Sequence, residues 1–235
     1  MAWSSSDPDV VTVTADGTIT AAGLGNATVT AVSVADSAFS ADVLVTVNEP
    51  LIMKIDTTLG DDAKPMLFRL KGTGLVTIDW GDGTREQVID PDRPLHHYEE
   101  PGAYAIAVVG SLAEDAAFGA HPYYHQSDEF VQALESWGDL GLTSLENAFM
   151  YAKNLEAVPD HLPEGVTSLS AMFNGAVSFN QDLNGWDTSR VTDFSSMFWD
   201  AHSFNGSIDQ WDMSSATSLA GMFSRARSFN QDIGD

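Results

Sequence analysis

A periodicity of 24 to 25 residues in the second half of the chain constrains the fold more than any other feature. Thr143-Ser144-Leu145, Thr167-Ser168-Leu169, Thr192-Asp193-Phe194 and Thr217-Ser218-Leu219 recur at spacings of 24, 25 and 25. Other columns keep the same phase. Phe149, Phe173, Phe198 and Phe223 form one; Ala152, Ala176, Ala201 and Ala226 another; Leu155, Phe179, Phe204 and Phe229 a third. Met172, Met197 and Met222 recur with them, as do Asn180, Asn205 and Asn230, and Trp186-Asp187 returns as Trp211-Asp212. A unit this short cannot bury its own Phe and Met, so its core must come from stacking on its neighbours. At roughly 25 cal/mol per Å2, a buried Phe-Met-Phe set contributes several kcal/mol per unit.

Each unit joins a helix-prone stretch, 195–201 in the clearest case, to an extended one, 203–208. The register gives coils at 143–166, 167–191 and 192–216, with a partial coil at 217–235. The first is atypical, with Ala148 in the Met column, Leu155 in a Phe column and Val158-Pro159-Asp160-His161-Leu162-Pro163 replacing the Asn-Gln stretch; terminal repeats that act as caps commonly depart in this way. Residues 113–142 read as a linker and N-terminal cap, ending on Trp137-Gly138-Asp139-Leu140.

The first half has a period of two instead. Val11, Val13, Ile19, Thr28-Val29-Thr30-Ala31-Val32 and Val43-Leu44-Val45-Thr46-Val47 alternate around Asp16-Gly17 and Gly23-Leu24-Gly25-Asn26, the pattern of short antiparallel strands and tight turns. Residues 50–112 read the same way. There Trp80-Gly81-Asp82-Gly83-Thr84 precedes His96-His97-Tyr98-Glu99-Glu100-Pro101-Gly102-Ala103-Tyr104. Asp82 is expected to cap its own turn, His96 to bond across the loop, and Tyr98 and Tyr104 to pack in the core.

Three resemblances follow from these motifs. Residues 1–49, from Trp3-Ser4-Ser5-Ser6-Asp7 to Gly25-Asn26-Ala27-Thr28-Val29-Thr30-Ala31, resemble the bacterial Ig-like group 2 domain of intimin- and invasin-type surface proteins. In that family two strands precede the tryptophan, so the chain is expected to begin in mid-sandwich, with this unit weakly stable or completed by a neighbour. Residues 50–112 resemble the PKD domain, an Ig-like sandwich. The repeats resemble the BspA-like variant of the leucine-rich repeat, found in bacterial surface lipoproteins and adhesins. The fold class these resemblances imply is multi-domain: all-β Ig-like and PKD-like sandwiches followed by an α/β leucine-rich-repeat-like solenoid.

Composition narrows the partners. The chain carries 34 Asp and Glu against 10 Lys and Arg, a formal charge of -24. Nucleic acid is not expected as a partner, because binding phosphate requires a basic footprint. Direct membrane insertion is not expected in this fragment either, since no apolar run approaches a transmembrane span. Cysteine is absent, which removes disulfides and thiolate metal sites. No G-x-S-x-G, H-E-x-x-H or phosphate-loop motif occurs, so no catalytic residue and no metal ligand is assigned. His121 and His125, four apart around Pro122, are the closest approach to a metal pair. No cofactor is called for, with calcium left open as an ion a carboxylate-rich face could hold.

The repeat family implies a binding surface on the extended segments, at Gln181, Asp182, Gly206, Ser207, Gln231 and Asp232. The asparagine column is expected to form a buried ladder, and Trp186 and Trp211 to pack at a coil corner. Trp199 breaks its column, where Asn174 and Ser224 stand, which marks it for ligand contact. The expected protein is a non-enzymatic, extracellular adhesion or ligand-recognition fragment of a larger exported bacterial protein, binding a protein or a glycan. An accessory region of a secreted carbohydrate-active enzyme and a purely structural stalk are the alternatives.

Overall fold

The computed structural model describes residues 1–60, 65–113, 115–119 and 128–233, and the chain divides into two compact units, Met1–Glu49 and Pro50–Asp235. In the first unit, β1 (Ala2–Ser5), β4 (Gly25–Val32) and β5 (Ser40–Val47) form an antiparallel sheet in the order β1-β4-β5. β2 (Val11–Val13) and β3 (Ile19–Ala21) pair as a separate hairpin. The alternation that predicts these strands also sets their inner face: Val10, Val11, Ala27 and Val29 are buried, with Trp3, Val45 and Val47 packed against them. The core is small. Val43 and Leu44 of β5 remain 50% and 67% exposed, so this strand is held to the core by its second half alone, through Val45 and Val47.

In the second unit the main sheet is antiparallel and five-stranded. It comprises β6 (Leu51–Asp56), β9 (Gly74–Asp79), β10 (Arg85–Ile89), β12 (Ala103–Leu112) and β14 (Val131–Trp137), in the order β10-β9-β12-β6-β14. The edge strand β14 comes from the stretch read as linker and cap and pairs with β6 through two register shifts. Two short ribbons complete the strands: β7 (Met66–Leu67) with β11 (Leu95–His96), and β8 (Leu70–Lys71) with β13 (Ala117–Phe118).

The loop motif around Trp80 is tightly organised. Asp82 Oδ1 accepts from Thr84 N at 2.9 Å and from Thr84 Oγ1 at 2.6 Å, and its Oδ2 lies 2.7 Å from His96 Nε2. The His96 ring stacks on Trp80 at 4.7 Å, Tyr98 stacks on Tyr104 at 4.1 Å, and Tyr98 Oη donates to the Trp80 carbonyl at 2.9 Å. Burial raises the Tyr98 phenol well above its ordinary value, with Asp82 adding to the effect. Desolvation also pushes the Asp82 carboxyl upward, but the Thr84 and His96 bonds together outweigh it and hold the group at about 2. A carboxylate held below its ordinary 3.8 stabilises the fold above about pH 4, and that contribution is lost as pH falls towards 2. Thermal melts between pH 4 and 2 are expected to lose stability more steeply for the native chain than for Asp82→Asn; equal slopes would remove Asp82 from the account.

From residue 143 onward the expected α/β leucine-rich-repeat-like solenoid does not form. Among the described residues there is no α-helix, only the two 3-10 turns Thr57–Leu59 and Asp128–Phe130. The helix-prone stretch of each coil is instead a run of turns in which successive N–H groups take different partners. Those of Ala171, Phe173 and Gly175 donate to Ser195, Met197 and Trp199 of the next coil at 2.7 to 2.9 Å, while those of Met172, Asn174 and Ala176 close three-residue turns within their own coil. Ser196, Phe198 and Asp200 repeat the pattern onto Ala220, Met222 and Ser224. An α-helix would direct every one of these groups along its own axis and leave the coils unbonded to each other. At about seven residues it would also be too short to stand by itself.

Turns of this kind require left-handed backbone. Asn147, Ala171, Ser196 and Gly221 occupy one such column, and Tyr151, Gly175, Asp200 and Arg225 another, all with φ between 51° and 71°. Each non-glycine in that conformation costs about 1 kcal/mol or more, a strain held in place by stacking on both sides.

Candidate functional site

The stacked coils carry the residues assigned to ligand contact, and the columns decide what each of them can do. Thr143, Thr167, Thr192 and Thr217 form a spine: the N–H and Oγ1 of each donate to the same carbonyl of the preceding segment, as when Thr217 meets Thr192 O at 2.7 and 2.9 Å. Parallel bridges follow beside it, Ser144 to Ser168 to Asp193 to Ser218. Inside the stack Phe149, Phe173, Phe198 and Phe223 lie face to face at 5.6 to 5.8 Å. Trp186 and Trp211 stack at 6.1 Å and are buried, with Nε1 donating to the Pro159 and Leu183 carbonyls. Trp186 is enclosed by its neighbours, and Trp211 lines a cleft at the fourth coil.

Two assigned contacts are occupied within the stack. Gln181 accepts from Val158 N at 2.8 Å and donates to Val158 O at 2.9 Å, and Gln231 Nε2 donates to Asn205 O at 2.8 Å. Their side chains clamp one coil to the next. Gly206 is buried, and a Cβ there would overlap the Gln181 carbonyl oxygen, so the glycine permits a close approach between coils. Asp182 is exposed and caps Asn184 N at 3.0 Å; the Ser207 carbonyl accepts from Leu183 N at 3.1 Å; Asp232 is exposed. The asparagine ladder forms, with Asn205 N on Asn180 Oδ1 at 2.6 Å and Asn230 N on Asn205 Oδ1 at 2.8 Å. It runs along the surface, however, with Asn180 and Asn230 exposed.

Trp199 lies apart from these, on the turn ridge. Its indole is half-buried over Gly221 of the fourth coil, where a Cβ would come within 3.1 Å of the ring. Nε1 donates to Asp200 Oδ2 at 3.1 Å, and the Arg225 guanidinium carbon sits 6.0 Å from the ring centroid. Asp200 also meets His202 Nε2 at 3.4 Å and Arg225 Nη1 at 3.5 Å. The result is an aromatic surface bordered by a carboxylate, an imidazole and a guanidinium. Sequence reasoning singles out Trp199 but misses Asp200, His202 and Arg225; the one available signal is that Arg225 and Asp200 share a column.

The acids of the neighbouring columns serve their own turns. Ser189 bonds hold Asp187 below the ordinary carboxylate range and Ser214 bonds do the same for Asp212, against a small opposing push from Asp187. Among the described residues no group of three or more His, Cys, Asp or Glu is placed to hold a metal ion. His121 and His125 lie outside the described residues.

Family models match both ends of the chain. Residues 1–49 match the bacterial Ig-like domain (group 2), and residues 120–235 match a family described as a Mycoplasma protein of unknown function, DUF285. No curated protein and no solved structure matches. The two families agree with an extracellular, cell-surface bacterial protein, and among the described residues no helix is long and apolar enough to cross a membrane. Neither match covers 50–112 or names the BspA-like repeat, so the PKD, leucine-rich-repeat and solenoid readings gain no support from them.

Proposed function

We propose that this chain is a non-enzymatic recognition segment of an exported bacterial surface protein, taking a protein or glycan ligand on the ridge around Trp199. The observation that carries the reading is the half-buried indole bordered by Asp200, His202 and Arg225. A half-buried aromatic ring with a guanidinium over it and a carboxylate beside its N–H suits ligands that are apolar on one side and hydroxylated or charged on the other. Binding to a glycan and matrix-protein array, with and without calcium, is the test. The expected result is a ligand whose affinity falls at least about tenfold, or ~1.4 kcal/mol, in Trp199→Ala. If no ligand is retained under either condition, the stalk reading takes over, and the use of Gln181 and Gln231 as clamps between coils already favours it in part.

A further inference from the structure

A second aromatic side chain stands on the same ridge as Trp199. Tyr151, in the first coil, is 37% exposed, in a column otherwise filled by Gly175, Asp200 and Arg225. Both rings are seated on glycine. A Cβ on Gly175 would overlap Cδ1 of Tyr151 and lie 2.8 Å from its Cε1, just as one on Gly221 would crowd Cε3 and Cζ3 of Trp199 at 3.1 Å. Each glycine has left-handed backbone, at φ 71° and 67°, and at each place the ring fills the space a side chain would take. Backbone bonds fix the interval between the rings: Tyr151 N donates to Asn174 O at 2.7 Å, and Gly175 N to Trp199 O at 2.7 Å. Two coil steps, each of about 5 Å as between paired strands, separate the two residues. Arg225, in the Tyr151 column, sits 6.0 Å from the Trp199 ring centroid, so the two columns border one strip. Between them lies the half-buried Asn174, in the Trp199 column, whose carboxamide meets no partner among the described residues.

We infer that Tyr151, Asn174 and Trp199 bind a neutral, linear glycan laid along the ridge, with one sugar on each ring and a third on Asn174 between them. The inference rests on the reading of Trp199 as a contact residue and names the ligand class. An equatorially linked pyranose chain advances about as far per sugar as the stack does per coil, so sugars two apart fall on the two rings. Each pyranose has an apolar C–H side that packs on an aromatic ring, with hydroxyls at its rim. Asn174 offers both an acceptor and a donor to the hydroxyls of the middle sugar. A protein interface would centre on contiguous apolar contact that excludes water, whereas here a carboxamide separates the rings. The chain's charge of -24 opposes an anionic glycan.

The test is calorimetric titration of the full chain with β-1,4-linked oligomers of glucose, mannose and N-acetylglucosamine, from the single sugar upward. Affinity for the preferred series is expected to rise at least about tenfold between the disaccharide and the trisaccharide. Tyr151→Ala is expected to flatten that step, while Tyr151→Phe, which keeps the ring, stays within about twofold of the native chain. Asn174→Ala is expected to weaken the trisaccharide by about fivefold, and together with Tyr151→Phe it keeps the comparison open should Tyr151→Ala not fold. Failure of every oligomer to bind would overturn the inference, as would an affinity that depends on neither length nor Tyr151. The reading of Trp199 fails separately, and only if Trp199→Ala leaves all binding to oligomers and arrayed proteins unchanged. A protein ligand lost in Trp199→Ala, with no oligomer bound, would keep that residue's role and overturn the glycan.

Discussion

Phe198→Ala is expected to cost the second unit about 3 to 5 kcal/mol. Its ring is fully buried, stacks on Phe204 at 3.8 Å, and sits between Phe173 and Phe223 at 5.6 Å on either side. The cavity left behind cannot close by local collapse, because the Phe198 N–H on Met222 O at 2.8 Å and the Phe173 N–H on Met197 O at 2.9 Å fix the spacing of the coils. For a unit of this size the loss corresponds to a fall of roughly 10 °C in melting temperature. Near-ultraviolet circular dichroism should show it in the transition of residues 50–235, while that of residues 1–49 stays in place. A shift of under about 2 °C would mean that the rings are not the principal source of stacking energy.

Gly206→Ala should be nearly as damaging, although it adds a single methyl group. The new Cβ would overlap the Gln181 carbonyl oxygen and lie 2.7 Å from its carbonyl carbon. Both neighbours are backbone, so neither can rotate away. Relief requires the second and third coils to separate, which strains the bond from Leu183 N to Ser207 O at 3.1 Å and that from Asn205 N to Asn180 Oδ1. A cost of about 3 kcal/mol is expected, read as a shift in the denaturant midpoint. Ser207→Ala, one residue further on, leaves that carbonyl bond intact and is expected to stay within about 0.5 kcal/mol of the native chain. Equal effects at the two positions would show that the close approach does not limit packing.

How far the sequence discloses this fold depends on whether a residue's role is repeated. The Phe, Thr and Trp columns recur in one chemical form, so their phase alone is enough to reveal the stacking. The left-handed columns do not, since Asn147, Ala171, Ser196 and Gly221 share a backbone conformation and no side-chain chemistry. Reading 195–201 as helix-prone follows local preference, and that preference loses to hydrogen bonds that exist only once neighbouring coils are in place. Gln181 and Gln231 illustrate the same limit at the candidate site: an outward amide and one that clamps the coil below are identical as letters. Of the residues on the turn ridge, Trp199 alone stands out, because it departs from its column. Asp200 and Arg225 become partners through the turn geometry. Arg69 carries no local signal at all, yet it is buried and spends Nη1 on the carbonyl of Asn147, 78 positions away.

The alternating N–H pattern also gives the turn ribbon an electrical direction, opposite to that of the threonine spine beside it, whose N–H groups donate to the preceding segment. In an ordinary sheet, successive peptide dipoles largely cancel. Here every second peptide plane along the turn ribbon points its N–H towards the fourth coil and its carbonyl towards the first, while the N–H groups between them close turns within their own coil. The ribbon therefore behaves along its axis like a helix, accumulating partial positive charge at the outer coil and partial negative charge at the inner one.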